Sequence, residues 1–126
     1  MPIRGEEPDN RRAVGTREED EASSFLTGEG CTIIERNFRC KAGEIDLIYL
    51  DSDGSTICFG EVKYRKDGSS GDPEEAVNFK KQKKISLSSD YYRMKMGLDE
   101  SMSYRFDVIA ITPGGIVWHK NAFEYK

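Results

Sequence analysis

The sequence predicts one α/β domain, in which a mixed β-sheet is flanked by helices in the order α-β-β-β-α-β-β. Three short segments rich in β-branched and aromatic residues follow one another with turn residues between them, which favours an antiparallel meander. A long charged segment with helical start and stop signals then precedes the fourth strand. A strand, a helix and a strand in series imply a parallel pair joined by a right-handed crossover. The 126 residues suffice for a single domain.

The N-terminal region is expected to contain a loose arm and the first helix. Residues 1–14 are charged, contain proline and lack hydrophobic periodicity, so we assign them to the arm and residues 15–126 to the domain. The first helix is predicted to begin near Arg17. Its apolar stripe and the glycines that end it are Ala22, Phe25, Leu26, Gly28 and Gly30.

The β-strands are predicted from apolar segments bounded by turn residues. The first three cover residues 31–38, 40–50 and 55–65, and the Asp53-Gly54 pair is a hairpin signal between the second and the third. The last two strands cover residues 104–111 and 116–120.

The long helix is predicted from its capping residues. Asp72 is a candidate N-cap, Pro73 suits the first helical position, and Glu75 completes a capping box. The helix is expected to run to about Met96 and to stop near Gly97.

Composition excludes several classes of protein. No segment approaches the roughly 18 consecutive apolar residues of a membrane span, and the opening residues lack the apolar core of a signal peptide. The three cysteines are odd in number and show no CxxC spacing, which favours reduced thiols over a disulfide framework or a zinc ribbon. We therefore expect a cytoplasmic protein with no membrane partner.

The distribution of charge is more informative than the net charge of −4. Residues 1–30 contain four basic and eight acidic residues, so the remaining 96 residues are neutral as a whole. Within them, residues 78–95 concentrate six basic side chains against Asp90 alone. A local basic face of this kind suits contact with nucleic-acid phosphates, and a solvated helix face is the alternative interpretation.

Two neighbouring strands bring acidic side chains and a lysine together. Side chains alternate across a strand, so Glu44 and Asp46 are expected on one face of the second strand, and Glu61 and Lys63 on one face of the third. A hairpin would place all four on the same face of the sheet, with Ile45, Leu47 and Tyr49 on the opposite one. A solvated face with cross-strand salt bridges is the alternative interpretation.

This arrangement is suited to metal-assisted phosphoryl chemistry. Mg²⁺ prefers one or two carboxylates, waters and substrate phosphates as ligands, and Asp46 and Glu61 could supply that carboxylate pair. Lys63 could orient an attacking water or offset the charge that develops on a phosphate. The expected cofactor is Mg²⁺ or Mn²⁺.

Five short motifs resemble those of the uncharacterised YraN-like family. They are Gly43-Glu44-Ile45-Asp46, Glu61-Val62-Lys63-Tyr64-Arg65, Gly71-Asp72-Pro73-Glu74-Glu75-Ala76-Val77, Lys81-Gln82 and Arg105-Phe106-Asp107-Val108. The resemblance covers about residues 15–120. That family is placed in the restriction-endonuclease-like, PD-(D/E)XK nuclease superfamily, close to Holliday junction resolvases.

The resemblance implies a restriction-endonuclease-like mixed sheet and a set of catalytic residues. It assigns the first metal-binding acid to Asp46 and the E-x-K pair to Glu61 and Lys63. A glutamate of the family's N-terminal helix falls on Glu19, and Glu44 belongs to the G-E-I-D motif. We therefore expect Glu19 and Glu44 to support the metal-binding pair.

Basic and polar residues near these motifs are candidate contacts to nucleic acid. The candidates are Arg65, Lys66, Lys80, Lys81, Gln82, Lys83 and Lys84. Lys81 shares a helical stripe with Val77 and Ile85, so it points either toward the sheet and a bound phosphate or out into solvent. A surface role is the alternative for Gln82.

Two further residues within strands have a structural interpretation. Asp107 lies inside an apolar strand, and we favour a buried, hydrogen-bonded acid over a third metal ligand. Gly60 marks either a close approach of two backbones or a bulge.

The predicted function is that of a metal-dependent endonuclease that hydrolyses phosphodiester bonds in DNA, with branched, nicked or single-stranded forms as candidate substrates. The alternative is a non-catalytic nucleic-acid-binding or scaffold protein that keeps a nuclease-like fold. A two-fold homodimer would let one small domain cut both strands, although the sequence indicates no interface.

Overall fold

The computed structural model describes residues 10–66 and 77–126 and contains two helices and five strands in that part of the chain. Their bounds are α1 Asn10–Gly28, β1 Thr32–Cys40, β2 Gly43–Leu50, β3 Thr56–Tyr64, α2 Phe79–Met96, β4 Ser103–Thr112 and β5 Gly115–Phe123. The order is the predicted α-β-β-β-α-β-β. No helix in the described ranges is long and apolar enough to span a membrane.

The five strands form one mixed sheet in the order β1-β2-β3-β4-β5. β3 and β4 are parallel, with Glu61 beside Val108, and every other neighbouring pair is antiparallel. The parallel pair exists because α2 carries the chain back between β3 and β4. The predicted fold class, an α/β domain with a mixed sheet flanked by helices, is confirmed.

Each face of the sheet buries its own hydrophobic cluster beneath one helix. The cluster on the α2 side joins Ile85 and Tyr92 of that helix to sheet residues that include Phe38, Ile45, Ile48 and Phe59. The cluster on the α1 side joins Ala22 and Leu26 of that helix to Cys31, Leu47, Tyr49, Cys58 and Ile109. Strands buried on both faces explain why β2, β3 and β4 read as nearly continuous apolar segments.

Both predicted helix starts are wrong. α1 begins at Asn10, so residues 10–14, assigned to the loose arm, are helical. Arginine and alanine in this segment favour extension of a helix that tertiary packing already anchors.

α2 begins at Phe79 because Asn78 caps it, accepting a hydrogen bond from the Lys81 N–H at 2.9 Å. The predicted capping residues Asp72, Pro73 and Glu75 lie outside the described residues. The predicted stop is confirmed: Gly97 adopts the left-handed C-cap conformation with φ +67°.

β2 does not alternate as predicted. Ile45 packs under α2, whereas Leu47 and Tyr49 pack under α1, so the expectation that all three share a face is wrong for Ile45. The switch occurs at Asp46, and Asn37 lies opposite it on β1 in the left-handed conformation, with φ +55°. Asn37 thus departs from extended strand geometry opposite the point at which β2 changes faces.

Gly60 lies against side chains of the two neighbouring strands, which is neither the close approach of two backbones nor the bulge predicted from the sequence. A Cβ atom at this position would lie 2.9 Å from Ile109 Cδ1 and 3.0 Å from Tyr49 Cε1. A side chain at this position, one residue before Glu61, would therefore require Ile109 and Tyr49 to shift.

Candidate metal and nucleic-acid site

Asp46 lies where β2 and β3 separate. Paired residues of the two strands run from Leu50–Ile57 to Leu47–Gly60. Beyond this pair, the Asp46 carboxylate takes the place of a backbone acceptor, because its Oδ2 accepts a hydrogen bond from the Val62 N–H at 2.8 Å. This bond fixes a partly buried carboxylate at the centre of the sheet, next to Glu61.

Lys81 of α2 pairs with Glu61 of β3. The Lys81 Nζ lies 2.8 Å from Glu61 Oε2, and the Glu61 side chain is only 5% exposed whereas that of Lys81 is 44% exposed. Of the two predicted orientations of Lys81, the structure shows the one toward the sheet. Lys63 is the cation expected beside Glu61 from the sequence. In the structure, Lys81 forms the ion pair with Glu61.

Glu19 reaches the same region from α1. Its buried carboxylate accepts a hydrogen bond from Asn37 Nδ2 at 2.8 Å and lies 3.7 Å from the guanidinium of Arg36. The negative charge of Glu19 is close enough to act on Asp46. Asn37 was not among the site residues predicted from the sequence. The one feature that could have indicated it is that asparagine adopts the left-handed conformation more readily than most residues.

The electrostatics of the site are unbalanced at Asp46. Burial raises the pKa of the Asp46 carboxyl to about 8, with the neighbouring negative charges of Glu61 and Glu19 adding to the rise. Burial also lowers the pKa of the Lys81 ammonium, but the hydrogen bond to Glu61 and the nearby acids outweigh it, so the Lys81 pKa is raised. Lys81 is therefore a cation at neutral pH.

The structure separates the other two predicted catalytic residues from this contact. Lys63 lies two residues after Glu61, so alternation along β3 puts it on the same face, but within the described residues it forms no ion pair. Glu44 is exposed and pairs with Arg39 across the β1–β2 ladder, with Arg39 Nε 3.2 Å from its Oε1. Of the four residues expected on one face, Glu44 thus pairs with β1, and Lys63 shares the face of Glu61 without an ion pair to a described residue.

The residues present fit a hard divalent cation only if water completes its coordination. Within the described residues, no three histidine, cysteine, aspartate or glutamate side chains are grouped so that they could hold a metal ion. Asp46 and Glu61 are adjacent, and a pair of carboxylates with waters and a substrate phosphate is the set that Mg²⁺ favours. The donor set therefore suits Mg²⁺ or Mn²⁺ and gives Glu19 no place as a ligand.

A basic pocket adjoins the acidic residues. This cavity of about 410 Å³ is lined by Gly43, Glu44, Asn78, Lys80, Lys81, Lys84 and Ile85. Lys81 belongs to both regions, since it lines the pocket and bonds to Glu61. Lys80, Lys83 and Lys84 are exposed on α2, as a phosphate-binding face requires.

The remaining candidate contacts differ in their exposure. Lys66 is exposed and Arg65 half-buried at the end of β3, where the Arg65 N–H donates to the Ile111 carbonyl at 2.8 Å. Gln82 is 4% exposed, and its Nε2 donates to the Val77 carbonyl at 2.7 Å. Gln82 thus anchors the entry to α2 instead of facing a ligand, which the sequence alone could not show.

Asp107 has the structural role that we favour from the sequence. It is fully buried, and its two oxygens accept hydrogen bonds from Tyr49 Oη, from Arg105 Nε and Nη2 at 2.9 and 3.0 Å, from Trp118 Nε1 at 3.1 Å and from the Asn121 N–H at 2.9 Å. The guanidinium of Arg105 also reaches Asp51 at 3.3 Å. This acid is satisfied entirely by the protein.

Comparison with known sequences places the chain among bacterial proteins that share one family description. The sequence model of "Uncharacterised protein family UPF0102" matches residues 18–111. Relatives carrying that description include proteins of Lachnoclostridium phytofermentans (38% identity; 91% of this chain, 96% of the relative), Herminiimonas arsenicoxydans (41%; 90% and 89%) and Aliivibrio salmonicida (42%; 93% and 96%).

Comparison with solved structures gives two weaker likenesses. One is a repair endonuclease from Pyrococcus abyssi, with a TM-score of 0.45 and 18% identity over 90% of this chain and 42% of that one. The other is Pyrococcus furiosus SfsA in complex with Ca²⁺, with a TM-score of 0.36 and 12% identity over 89% and 64%. The chain spans less than two thirds of either structure, and likenesses of this size carry no argument about its function.

Proposed function

This chain belongs to the uncharacterised family UPF0102, and we propose that it is a Mg²⁺- or Mn²⁺-dependent endonuclease that hydrolyses phosphodiester bonds in DNA. One observation carries the proposal. Asp46 and Glu61 lie just beyond the last residue pair of adjacent strands, the charge of Glu61 acts on Asp46, and within the described residues Lys81 is the one cation in an ion pair with Glu61. The resemblance of the G-E-I-D and E-V-K motifs to a nuclease superfamily agrees with it.

Each residue of the site has a proposed task. Asp46 and Glu61 hold the metal ion, which when bound lowers the pKa of a coordinated water and polarises the phosphorus–oxygen bond. Lys63 supplies a positive charge on the Glu61 face of β3, where it orients the attacking water and offsets charge on the phosphate. Glu19 adds negative potential from α1, which favours binding of a divalent cation.

The basic pocket and α2 supply the proposed contacts to DNA. Lys80, Lys81 and Lys84 line a cavity beside the carboxylates, so a backbone that enters it presents a phosphate to Asp46 and Glu61. Such contacts read the backbone and not the bases. We therefore propose selection by DNA structure, with branched, nicked and single-stranded forms as candidates and a homodimer as the form that could cut both strands.

Cleavage tests the proposal directly. The purified chain is incubated with a panel of linear, nicked, branched and single-stranded DNAs in Mg²⁺, in Mn²⁺ and in EDTA. We expect metal-dependent cleavage of at least one form, and its loss in Lys63→Ala and in Glu61→Gln with far-UV circular dichroism unchanged. Identical products from the wild type and both variants would assign the activity to a contaminant.

Salt dependence tests the lysine surface. Each phosphate contact contributes about 0.9 to the slope of log affinity against log salt on B-DNA. Joint substitution of Lys80, Lys81, Lys83 and Lys84 by Met is expected to lower that slope, because these lysines are exposed or line the pocket. An unchanged slope would show that they form a solvated helix face.

The ion pair also favours a second candidate function. Lys81 already neutralises Glu61 at 2.8 Å, as in a structural salt-bridge network. A non-catalytic nucleic-acid-binding or scaffold protein would keep this pair and the basic face without a metal. DNA binding with no cleavage on any substrate, and no response to Mn²⁺, would favour it.

A further inference from the structure

Lys81 connects the acidic site to the basic pocket. Its ammonium bonds to the buried Glu61 carboxylate, and its partly exposed stem lines the cavity that also contains Lys80 and Lys84. Both regions therefore lie within reach of one side chain with four rotatable methylene carbons.

A metal ion and the Lys81 ammonium compete for the same carboxylate. A divalent cation held by Asp46 and Glu61 would face an ammonium 2.8 Å from Glu61 Oε2, which places like charges close together in a poorly solvated part of the site. Glu61 is only 5% exposed, so solvent offers little screening there. Occupation of the site by metal thus weakens the Lys81–Glu61 pair.

The basic pocket can accommodate the displaced Lys81 ammonium. The Lys81 side chain is 44% exposed, and the adjoining cavity of about 410 Å³ is lined by the half-exposed carboxylate of Glu44 as well as by lysines. Glu44 is close enough to act electrostatically on Lys81. The ammonium can therefore leave Glu61 without becoming an unpaired buried charge.

We infer that Lys81 is a placeholder cation: it neutralises Glu61 while no metal is bound, and a divalent metal on Asp46 and Glu61 releases its ammonium into the basic pocket. There the ammonium binds a phosphate of the substrate. The inference rests on the proposed function, because it requires the Asp46–Glu61 pair to bind metal. Lys81 thereby couples metal occupancy to phosphate binding.

Amine labelling of the wild-type protein measures the release of Lys81. A brief pulse of acetic anhydride is applied in EDTA and in saturating Mn²⁺, and acetylation of each lysine is read by peptide mass spectrometry. We expect Mn²⁺ to increase the labelling of Lys81 relative to Lys80 about five-fold, since a paired ammonium reacts slowly. Asp46→Asn, which removes a metal ligand, is expected to show no increase.

Metal affinity provides a second measurement on the full chain. Lys81→Met keeps the apolar stem but removes the competing charge, so we expect it to bind Mn²⁺ about five-fold more tightly by isothermal titration calorimetry. Lys80→Met is the matched control, because it removes the same charge from the same pocket without touching Glu61. The control is expected to stay within about two-fold of the wild type.

The outcomes separate this inference from the proposed function. Mn²⁺ binding without increased labelling of Lys81, or equal affinities for Lys81→Met and Lys80→Met, overturns the placeholder role and leaves the metal site in place. A wild-type protein that does not bind Mn²⁺ overturns both. If Lys81→Met does not fold, the labelling of the wild type decides alone.

Discussion

Asp46 and Asp107 lie on the two strands that flank β3, at nearly the same level of the sheet, but their hydrogen bonding and neighbouring charges differ. Leu47 and Asp107 are both in register with Gly60, so the two acids differ by about one row. Asp107 accepts hydrogen bonds from four residues, including both ends of the Arg105 guanidinium. Asp46 accepts one from a backbone N–H and has two acids nearby.

The difference separates a structural acid, Asp107, from a candidate functional one, Asp46. A buried charge is costly unless it is paired and hydrogen-bonded. At Asp107 the protein supplies all of that compensation, so nothing is left for a ligand to add. At Asp46 the compensation is incomplete, and perturbed, under-compensated carboxyls of this kind concentrate at functional sites.

The largest expected effect is the loss of stability in Asp107→Asn. Asp107→Asn removes the charge that pairs with Arg105 in a fully buried setting, so we expect a loss of about 3–5 kcal/mol in the free energy of unfolding. Urea denaturation measures it. Glu124→Gln, on an exposed residue, is the control and is expected to stay within about 0.5 kcal/mol. A change of less than 1 kcal/mol in Asp107→Asn would remove the distinction.

The next effect is the response to metal on the Asp46 side. A ligand that binds only the native state stabilises it by about 2.7 kcal/mol at one hundred times its dissociation constant. Saturating Mn²⁺ is therefore expected to raise the melting temperature of the wild type, and to do so much less in Asp46→Asn. Glu124→Gln is the control that keeps the response, because Glu124 is exposed and does not line the pocket beside Lys81. A metal-insensitive wild type would contradict the metal site.

The smallest effect is on the stability of the metal-free protein. Because burial disfavours the charged form of Asp46 and the charges of Glu61 and Glu19 add to that cost, Asp46→Asn in EDTA at pH 8 is expected to stabilise the fold by about 0.5–1 kcal/mol. Urea denaturation of both proteins measures this. Destabilisation of the variant would show that Asp46, like Asp107, belongs to a structural network.

The pH dependence of the stability of the wild type and of Asp46→Asn also gives the sign of the contribution of Asp46 to stability. The folded-state pKa of Asp46, about 8, lies above that of the unfolded chain. Between about pH 4 and pH 8 the folded state therefore retains a proton that the unfolded state has lost, so the contribution of Asp46 to stability falls as pH rises and levels off above pH 8. Glu61, Glu19 and Lys81 face this group. The stability difference between wild type and Asp46→Asn should widen across that window.

Local patterns predicted most of the fold. β-Branched and aromatic segments with turn residues between them located all five strands, and the Asp53-Gly54 turn forms as expected, with Asp53 accepting hydrogen bonds from the Ser55 and Thr56 N–H groups at 2.8 and 3.0 Å. The Asn78 cap of α2 was missed because Asp72, six residues earlier, also suits that role by residue type. Capping preference is a weak signal when acceptable side chains lie close together in sequence.

The sequence by itself determined the order of elements, the alternation of most strands, and the presence of acids and lysines on neighbouring strands and a helix, because these depend on local propensity and spacing. Only the tertiary structure decided which lysine contacts Glu61 and that Asn37 holds Glu19, because both contacts join residues distant in sequence. The face switch at Asp46, opposite the left-handed Asn37, is likewise seen only in the structure. The alternation of side chains along one strand does not tell how the neighbouring strand pairs with it. That pairing positions the residues of the site.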